Sequence, residues 1–171
     1  MPALQQALPY ATFMTTFPEK INTRKIVYLN IQDSLLEFSQ TVLNNWVVFV
    51  IADDITNPFL RAFANLCIDK SVLYMHATGK ACSEIDDLFD LISIERQEQN
   101  GKLPNWMTTD EDVLMTSWDY DFSSAFWFIT TAANYDDHPI DTVLVANFTS
   151  ANHSNFIQEL IVKINSGWLP D

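Results

Sequence analysis

The segment MHATGKACSEIDD, residues 75–87, contains the residue types of a nucleophilic enzyme within a short span. His76 ends a predicted strand, and Cys82 stands at the start of a predicted helix, where the helix dipole lowers the pKa of a thiol. A Cys nucleophile, a His base and an Asp that orients the base would suit a small Cys-dependent hydrolase. A structural interpretation stays open, because His76 could cap the strand, Cys82 could pack, and the surrounding acids would raise the thiol pKa.

Carboxylates after a predicted strand are the second candidate for chemistry. Asp53 and Asp54 directly follow the apolar segment WVVFVIA. Ligands of open α/β sheets collect at the carboxyl ends of strands, and one or two carboxylates suit Mg²⁺, so a metal-dependent hydrolase or a small-ligand regulatory module is conceivable. Acids in loops also cap helices and solvate turns, and no further oxygen ligand stands at a diagnostic spacing. His138 and His153 occupy separate predicted loops, so we predict no metal site.

The elements that must position these residues alternate along the chain. Segments rich in β-branched and aromatic residues predict strands at 25–31, 46–52, 71–77, 113–118 and 142–148. Helical spacing and capping residues predict helices within 34–45, 57–68, 82–99, 121–134 and 151–167. Such alternation implies crossover connections between parallel strands. We therefore predict a single α/β domain over residues 1–171, a three-layer sandwich whose mostly parallel sheet has about five strands, with residues 1–22 as an irregular N-terminal arm.

The charge of the chain narrows the classes of partner. Twenty-two acidic and nine basic residues give a formal net charge of −13. This charge opposes binding to nucleic acids and to anionic membrane surfaces, and it attracts a basic protein. High solubility is the simpler explanation of an acidic chain. No phosphate-binding glycine motif, secretory leader or membrane-length apolar segment is visible, so we expect a cytoplasmic protein without a cofactor.

The acidic residues are unevenly distributed. Residues 103–162 contain nine Asp and Glu and no Lys or Arg, although a solvated surface normally mixes both signs. Within this part, the segment 108–128 places acids beside aromatic residues, which is typical of specific protein interfaces. The predicted partner-binding residues are Trp106, Asp110, Glu111, Asp112, Asp119 and Asp121, together with Asp53 and Asp54.

Two segments together resemble a known family. LYMHATGKACSEIDD (73–87) is followed by VLMTSWDYDFSSAFWFITTAANYDDHPIDTVLVANF (113–148). From about residue 45 to residue 149 the chain resembles small acidic bacterial proteins known only as a domain of unknown function, with the pattern L-Y-M-x-A-x-G-x-x-C-S-x-W-D-D, M-T-T-W-H and F-W-F. The pattern has Trp at the position of Ile85, and Thr and His at the positions of Ser117 and Asp119. The resemblance implies a common fold, and the family has no assigned activity.

The hypothesis that fits these observations is a non-catalytic, acidic protein that binds another protein. In its most concrete form, the chain is an immunity or antitoxin-like protein that covers the basic site of a cognate bacterial toxin or effector domain. The first alternative is the small hydrolase described above, either Cys-dependent or metal-dependent. The second alternative is a regulatory module that binds a small ligand at the edge of the sheet.

Overall fold

The computed structural model describes residues 14–135 and 137–171, and they form a mixed α/β fold with one sheet. Its strands are β1 (Met14–Thr16), β2 (Lys25–Asn30), β3 (Trp46–Ile51), β4 (Tyr74–Thr78), β5 (Met115–Trp118) and β6 (Thr142–Asn147). Its helices are α1 (Leu36–Gln40), α2 (Leu60–Asp69), α3 (Cys82–Glu98), α4 (Phe122–Trp127) and α5 (Ser154–Asn165), and a π-helical turn, Phe128–Ala132, continues α4. No helix in this part of the chain is both long and apolar enough to cross a membrane.

The sheet is mostly parallel, as the alternation of the sequence predicts. Its strand order is β1-β2-β6-β3-β4-β5, and every neighbouring pair is parallel except β1 with β2. The five predicted segments supply the five parallel strands. The described sheet has six strands rather than about five, because Met14–Thr16, within the segment predicted as an irregular arm, pairs with β2. A three-residue MTT strand is too short to show a pattern. The remainder of that arm before Met14 lies outside the described residues.

Both faces of the central strands are covered. In β3, Trp46, Val48 and Val50 join a buried cluster with side chains of α2 and α3. The alternate residues Val47, Phe49 and Ile51 join a second cluster with side chains of α4 and α5. Neighbouring residues of a strand point to opposite faces, so a strand buried on both faces is apolar throughout. We call the two sides of the sheet the α2–α3 face and the α4–α5 face.

The connections leave the carboxyl ends of the strands in two directions. The chain passes from β3 and β4 into α2 and α3 on one face, and from β5 and β6 into α4 and α5 on the other. The connections that follow β3 and β6 therefore leave on opposite faces of the sheet. The same holds for the pair β4 and β5 and for the pair β2 and β6, because Phe38 of α1 packs on the α2–α3 face. Ligands of open α/β sheets bind at such switch points.

Candidate functional site

The loops after β3 and β4 are locked together by the backbone around Gly79. Ala52 N donates to Thr78 O at 3.1 Å, and Ala81 N donates to Ala52 O at 3.2 Å. Gly79 has φ +98°, and a Cβ at this position would lie 2.3 Å from Ala52 O. Only glycine combines this backbone conformation with so close an approach. The carboxyl ends of β3 and β4 are therefore rigidly joined.

Asp53 and Asp54 take part in this loop structure. Asp53 Oδ1 accepts a hydrogen bond from Lys80 N at 3.0 Å. Asp54 Oδ1 accepts from Thr56 Oγ1 at 2.7 Å and from Thr56 N at 2.8 Å, and these bonds lower the pKa of Asp54. Within 14–135 and 137–171, no three His, Cys, Asp or Glu side chains are grouped closely enough to hold a metal ion. Both side chains are exposed and accept hydrogen bonds that stabilise turns.

The structure does not bring Cys82 and His76 together as a catalytic pair. Cys82 is buried in the cluster on the α2–α3 face, and burial raises the pKa of its thiol. His76 points to the α4–α5 face, where its ring lies 4.8 Å from that of Phe128 and stacks on Phe49. The two residues lie close in sequence, but the sheet separates their side chains. The thiol therefore lacks both the base and the lowered pKa that a nucleophile needs.

His76 ends a partly buried chain of polar groups. Its Nδ1 lies 2.7 Å from Ser117 Oγ, which lies 3.1 Å from the hydroxyl of Tyr74. His76 Nε2 is buried and has no hydrogen-bond partner within the described part of the chain. Burial lowers the pKa of His76 to about 4, against an opposing effect of the Asp119 carboxylate. His76 is thus a neutral, packed side chain at neutral pH.

This burial makes stability depend on pH. The unfolded state binds a proton at His76 near pH 6.5, and the folded state does so only near pH 4. The contribution of His76 to the free energy of unfolding is therefore fully present above pH 6.5. It falls by about 2–3 kcal/mol as the pH decreases towards 4. We expect His76→Gln to have a smaller loss of unfolding free energy than the wild type between pH 6.5 and 5, measured by urea denaturation. Equal losses in both proteins would contradict a neutral, buried His76.

A second polar network fills the carboxyl end of β6. Asn147 Nδ2 donates to the Tyr28 hydroxyl at 3.0 Å and to Asn30 Oδ1 at 2.9 Å. His153 N donates to the same hydroxyl at 3.0 Å, and His153 Nε2 lies 3.1 Å from Thr149 Oγ1. Burial lowers the pKa of His153. These groups satisfy one another, so the network fastens α5 to the sheet and offers few free contacts to a ligand.

The long connection between α3 and β5 is anchored at several points. Arg96 of α3 donates to Lys102 O at 2.8 Å, and Trp106 Nε1 donates to Val72 O at 3.0 Å. Asp112 Oδ2 accepts from Thr108 N at 2.7 Å and from Thr109 N at 2.8 Å, and these bonds lower the pKa of Asp112. The loop therefore holds the Asp112 carboxylate in a defined position.

Trp106 packs inside this anchor. It is partly buried, and its ring lies 4.5 Å from Tyr135 and 5.8 Å from His138. Its indole N–H is already used by Val72 O, as described above. Of the predicted partner-binding residues in this loop, Asp110 and Glu111 are exposed, whereas Trp106 and Asp112 are partly buried. Trp106 therefore anchors the loop through ring packing and a hydrogen bond, whereas Asp110 and Glu111 face the solvent.

The aromatic side chains that do face the solvent lie at β5. The rings of Trp118 and Tyr120 are 5.1 Å apart and pack edge to face, although 42% of Trp118 and 63% of Tyr120 remain exposed. Val113 and Met115, at the other end of the strand, are also exposed. We call these four residues, with the acids at both ends of β5, the β5 surface. Those acids are Asp110, Glu111, Asp112, Asp119 and Asp121.

The partly buried Asp119 and the exposed Asp121 both accept local hydrogen bonds. Asp119 Oδ1 accepts from Asp121 N at 2.8 Å. Asp121 is the N-cap of α4, and its Oδ1 accepts from Ser124 N at 2.7 Å, which lowers the pKa of Asp121. The structure thus groups five of the eight predicted partner-binding residues around β5, and it places Asp53 and Asp54 in the loop after β3. Trp118 and Tyr120 were not among the residues predicted to bind a partner, although their alternation with acids in SWDYD is a signal that could have indicated them.

The fold and the exposed surface define an α/β protein with a mostly parallel sheet and an acidic, aromatic patch at one edge. The chain belongs to the family described as domain of unknown function (DUF7684), whose model matches residues 24–164. The match confirms the resemblance to a domain of unknown function, and it covers the whole parallel part of the sheet. No curated protein matches the chain.

Proposed function

We propose that this chain is a non-catalytic, acidic protein-binding protein, and most concretely an immunity or antitoxin-like protein that covers the basic site of a toxin or effector domain. The observation that carries the proposal is the exposed Trp118–Tyr120 pair between two groups of carboxylates at the β5 surface. Exposed aromatic anchors surrounded by charge are typical of the residues that dominate binding energy and partner choice.

The electrostatics supports a basic partner. The β5 surface lies within residues 103–162, where nine acids are not balanced by any Lys or Arg. The resulting field accelerates association with a positive partner and disfavours acidic ones. Asp112, Asp119 and Asp121 accept backbone hydrogen bonds, so they are ordered before binding. A pre-ordered surface loses less conformational entropy when it binds.

The packed sheet gives the β5 surface a rigid support. We infer a three-layer sandwich from the two buried clusters on its opposite faces, with β5 at the end of the strand order. A firm platform holds the exposed aromatic rings and carboxylates in one arrangement. This is the property that a tight inhibitor of a rigid active site requires.

The test compares two double charge reversals. Asp110→Lys with Glu111→Lys changes the β5 surface, and Asp33→Lys with Glu159→Lys makes the same change of net charge elsewhere; all four residues are exposed. Each tagged variant is used to capture proteins from a native lysate at low and high salt, with mass spectrometry of the bound proteins. We expect the wild type and the control to retain a basic partner in a salt-sensitive manner, and the Asp110/Glu111 variant to lose at least about tenfold of it.

Thermal unfolding of each variant shows whether the fold is intact. Asp112 is excluded from the reversal because Thr108 N and Thr109 N both depend on its carboxylate. Equal retention by the two double variants would refute a role of this surface. If the wild type captured no basic protein at either salt concentration, the proposal of a basic protein partner would itself be refuted.

A further inference from the structure

Among the described residues, no backbone hydrogen bond is made to the outer edge of β5. Asp119 N donates to Ala77 O of β4 at 3.1 Å. In a parallel pair, alternate residues of one strand direct both backbone groups to the same neighbour, so Ser117 and Asp119 face β4. The N–H and C=O groups of Thr116 and Trp118 therefore point away from β4. Within 14–135 and 137–171, β5 is the last strand of the sheet on this side.

The sequence of β5 does not protect this edge. Proteins commonly block an exposed edge with a charged side chain, a proline or a bulge inside the strand. The strand reads MTSW and contains none of these residues. Its acids lie beside it instead. Thr116 Oγ1 donates to Asp90 Oδ1 of α3 at 2.8 Å, which places one carboxylate along the strand, and the other acids lie before and after it.

We propose that the partner adds an extended, basic segment to β5 as a further strand. This inference rests on the proposed function and names the element of the partner that the β5 surface binds. Main-chain hydrogen bonds to Thr116 and Trp118 would supply affinity, and alternate side chains would supply specificity. Lys or Arg side chains reach Asp90 and the carboxylates at the strand ends, and apolar side chains between them contact Met115 and Trp118, which are both exposed.

The free edge of β5 and the acidic residues around it together favour an added basic strand. A short strand pair alone is weak in water, so binding needs contributions from side chains as well. Met115 is the first residue of β5 and Trp118 is the fourth. Their side chains point to opposite faces of the sheet, because the side chains of a strand alternate. An added strand therefore contacts an exposed apolar side chain on each face. The acids select positive residues at the remaining positions.

The test uses a synthetic peptide of about nine residues with the repeat Lys-Val-Val, which places both Lys and Val on each face of an added strand of typical length or slightly more. Its affinity for the full chain is measured by isothermal titration calorimetry at low salt. Thr116→Pro removes the outward N–H without removing a bond to β4, and proline is tolerated at such edge positions. Thr116→Val is the matched control, because it removes the hydroxyl bond to Asp90 but keeps the N–H.

We expect Thr116→Pro to weaken peptide binding at least about tenfold, and Thr116→Val to retain most of it. The same peptide with every backbone nitrogen methylated keeps its charge and loses its main-chain donors, so we expect it not to bind the wild type. This second comparison is decisive even if Thr116→Pro does not fold.

Three results would overturn strand addition: no binding of the unmodified peptide, equal binding of the methylated peptide, or equal affinity of folded Thr116→Pro and Thr116→Val. The proposed function would survive them if the wild type still captured a basic partner and the Asp110/Glu111 reversal released it. Loss of that capture result would instead remove the proposed function. The two failures are therefore distinguishable.

Discussion

Gly79→Ala is expected to lower the free energy of unfolding by about 2–5 kcal/mol. The backbone at Gly79 has φ +98°, which costs an L-residue about 1–2 kcal/mol. The added methyl group would lie 2.3 Å from Ala52 O and 2.9 Å from Ala52 C, which are backbone atoms and cannot rotate away. The loops after β3 and β4 must then separate, with a further cost of about 1–3 kcal/mol. Urea denaturation followed by circular dichroism measures the difference.

Gly167→Ala provides the matched control. Gly167 has φ +89°, but no atom lies within 4 Å of the position of its Cβ. This substitution therefore costs only the backbone strain. We expect Gly79→Ala to be clearly the more destabilising of the two, because it alone also separates two strand ends. Equal losses of stability would mean that the contact between Gly79 and Ala52 is easily relaxed.

The second large effect is expected on binding. Trp118→Ala combined with Tyr120→Ala should weaken capture of the basic partner about a hundredfold or more, because aromatic residues at the centre of an interface contribute several kcal/mol. Both side chains are exposed, so their removal leaves the buried clusters untouched. The thermal midpoint should therefore change little. Capture is quantified by mass spectrometry with the wild type as reference.

Leu36→Ala combined with Val42→Ala is the control for the aromatic pair. Leu36 is 62% exposed and Val42 is 84% exposed, so this variant also removes two exposed apolar side chains. Leu36 belongs to α1 and Val42 follows that helix, in the connection from β2 to β3. We expect this control to bind as the wild type does. Equal loss in both double variants would indicate nonspecific adhesion through exposed apolar residues.

The fold was largely predictable because strands that are buried on both faces consist of apolar residues, and this pattern is visible in the sequence. WVVFVI is apolar at every position, which is the pattern of a strand covered on both faces, and β3 is buried throughout. β1 was not predictable, because three residues show no periodicity and its pairing with β2 depends on contacts between distant parts of the chain. The strand order, in which β6 lies between β2 and β3, was not predictable either, because it too depends on contacts between distant parts of the chain.

The site was predictable only in part, because exposure depends on the strand order. The sequence indicated the acids of 108–121 but offered Trp106 as their aromatic partner. In the structure, Trp106 anchors the loop through its hydrogen bond to Val72 O. Trp118 and Tyr120 are exposed because β5 is the last strand of the described part of the sheet. The proximity of His76 and Cys82 in sequence suggested a catalytic pair. The alternation of β4 and the start of α3 direct the two side chains to different faces.

Site-specific photo-crosslinking tests most directly whether the β5 surface binds a basic protein. A photoreactive phenylalanine analogue replaces Tyr120 in one tagged variant and Leu36 in another, because these residues are 63% and 62% exposed. After irradiation in the native lysate, mass spectrometry identifies the crosslinked proteins. We predict one basic protein crosslinked from position 120 and not from position 36. Crosslinks from position 36 alone, or from neither position, would contradict the proposal that the β5 surface is the binding site.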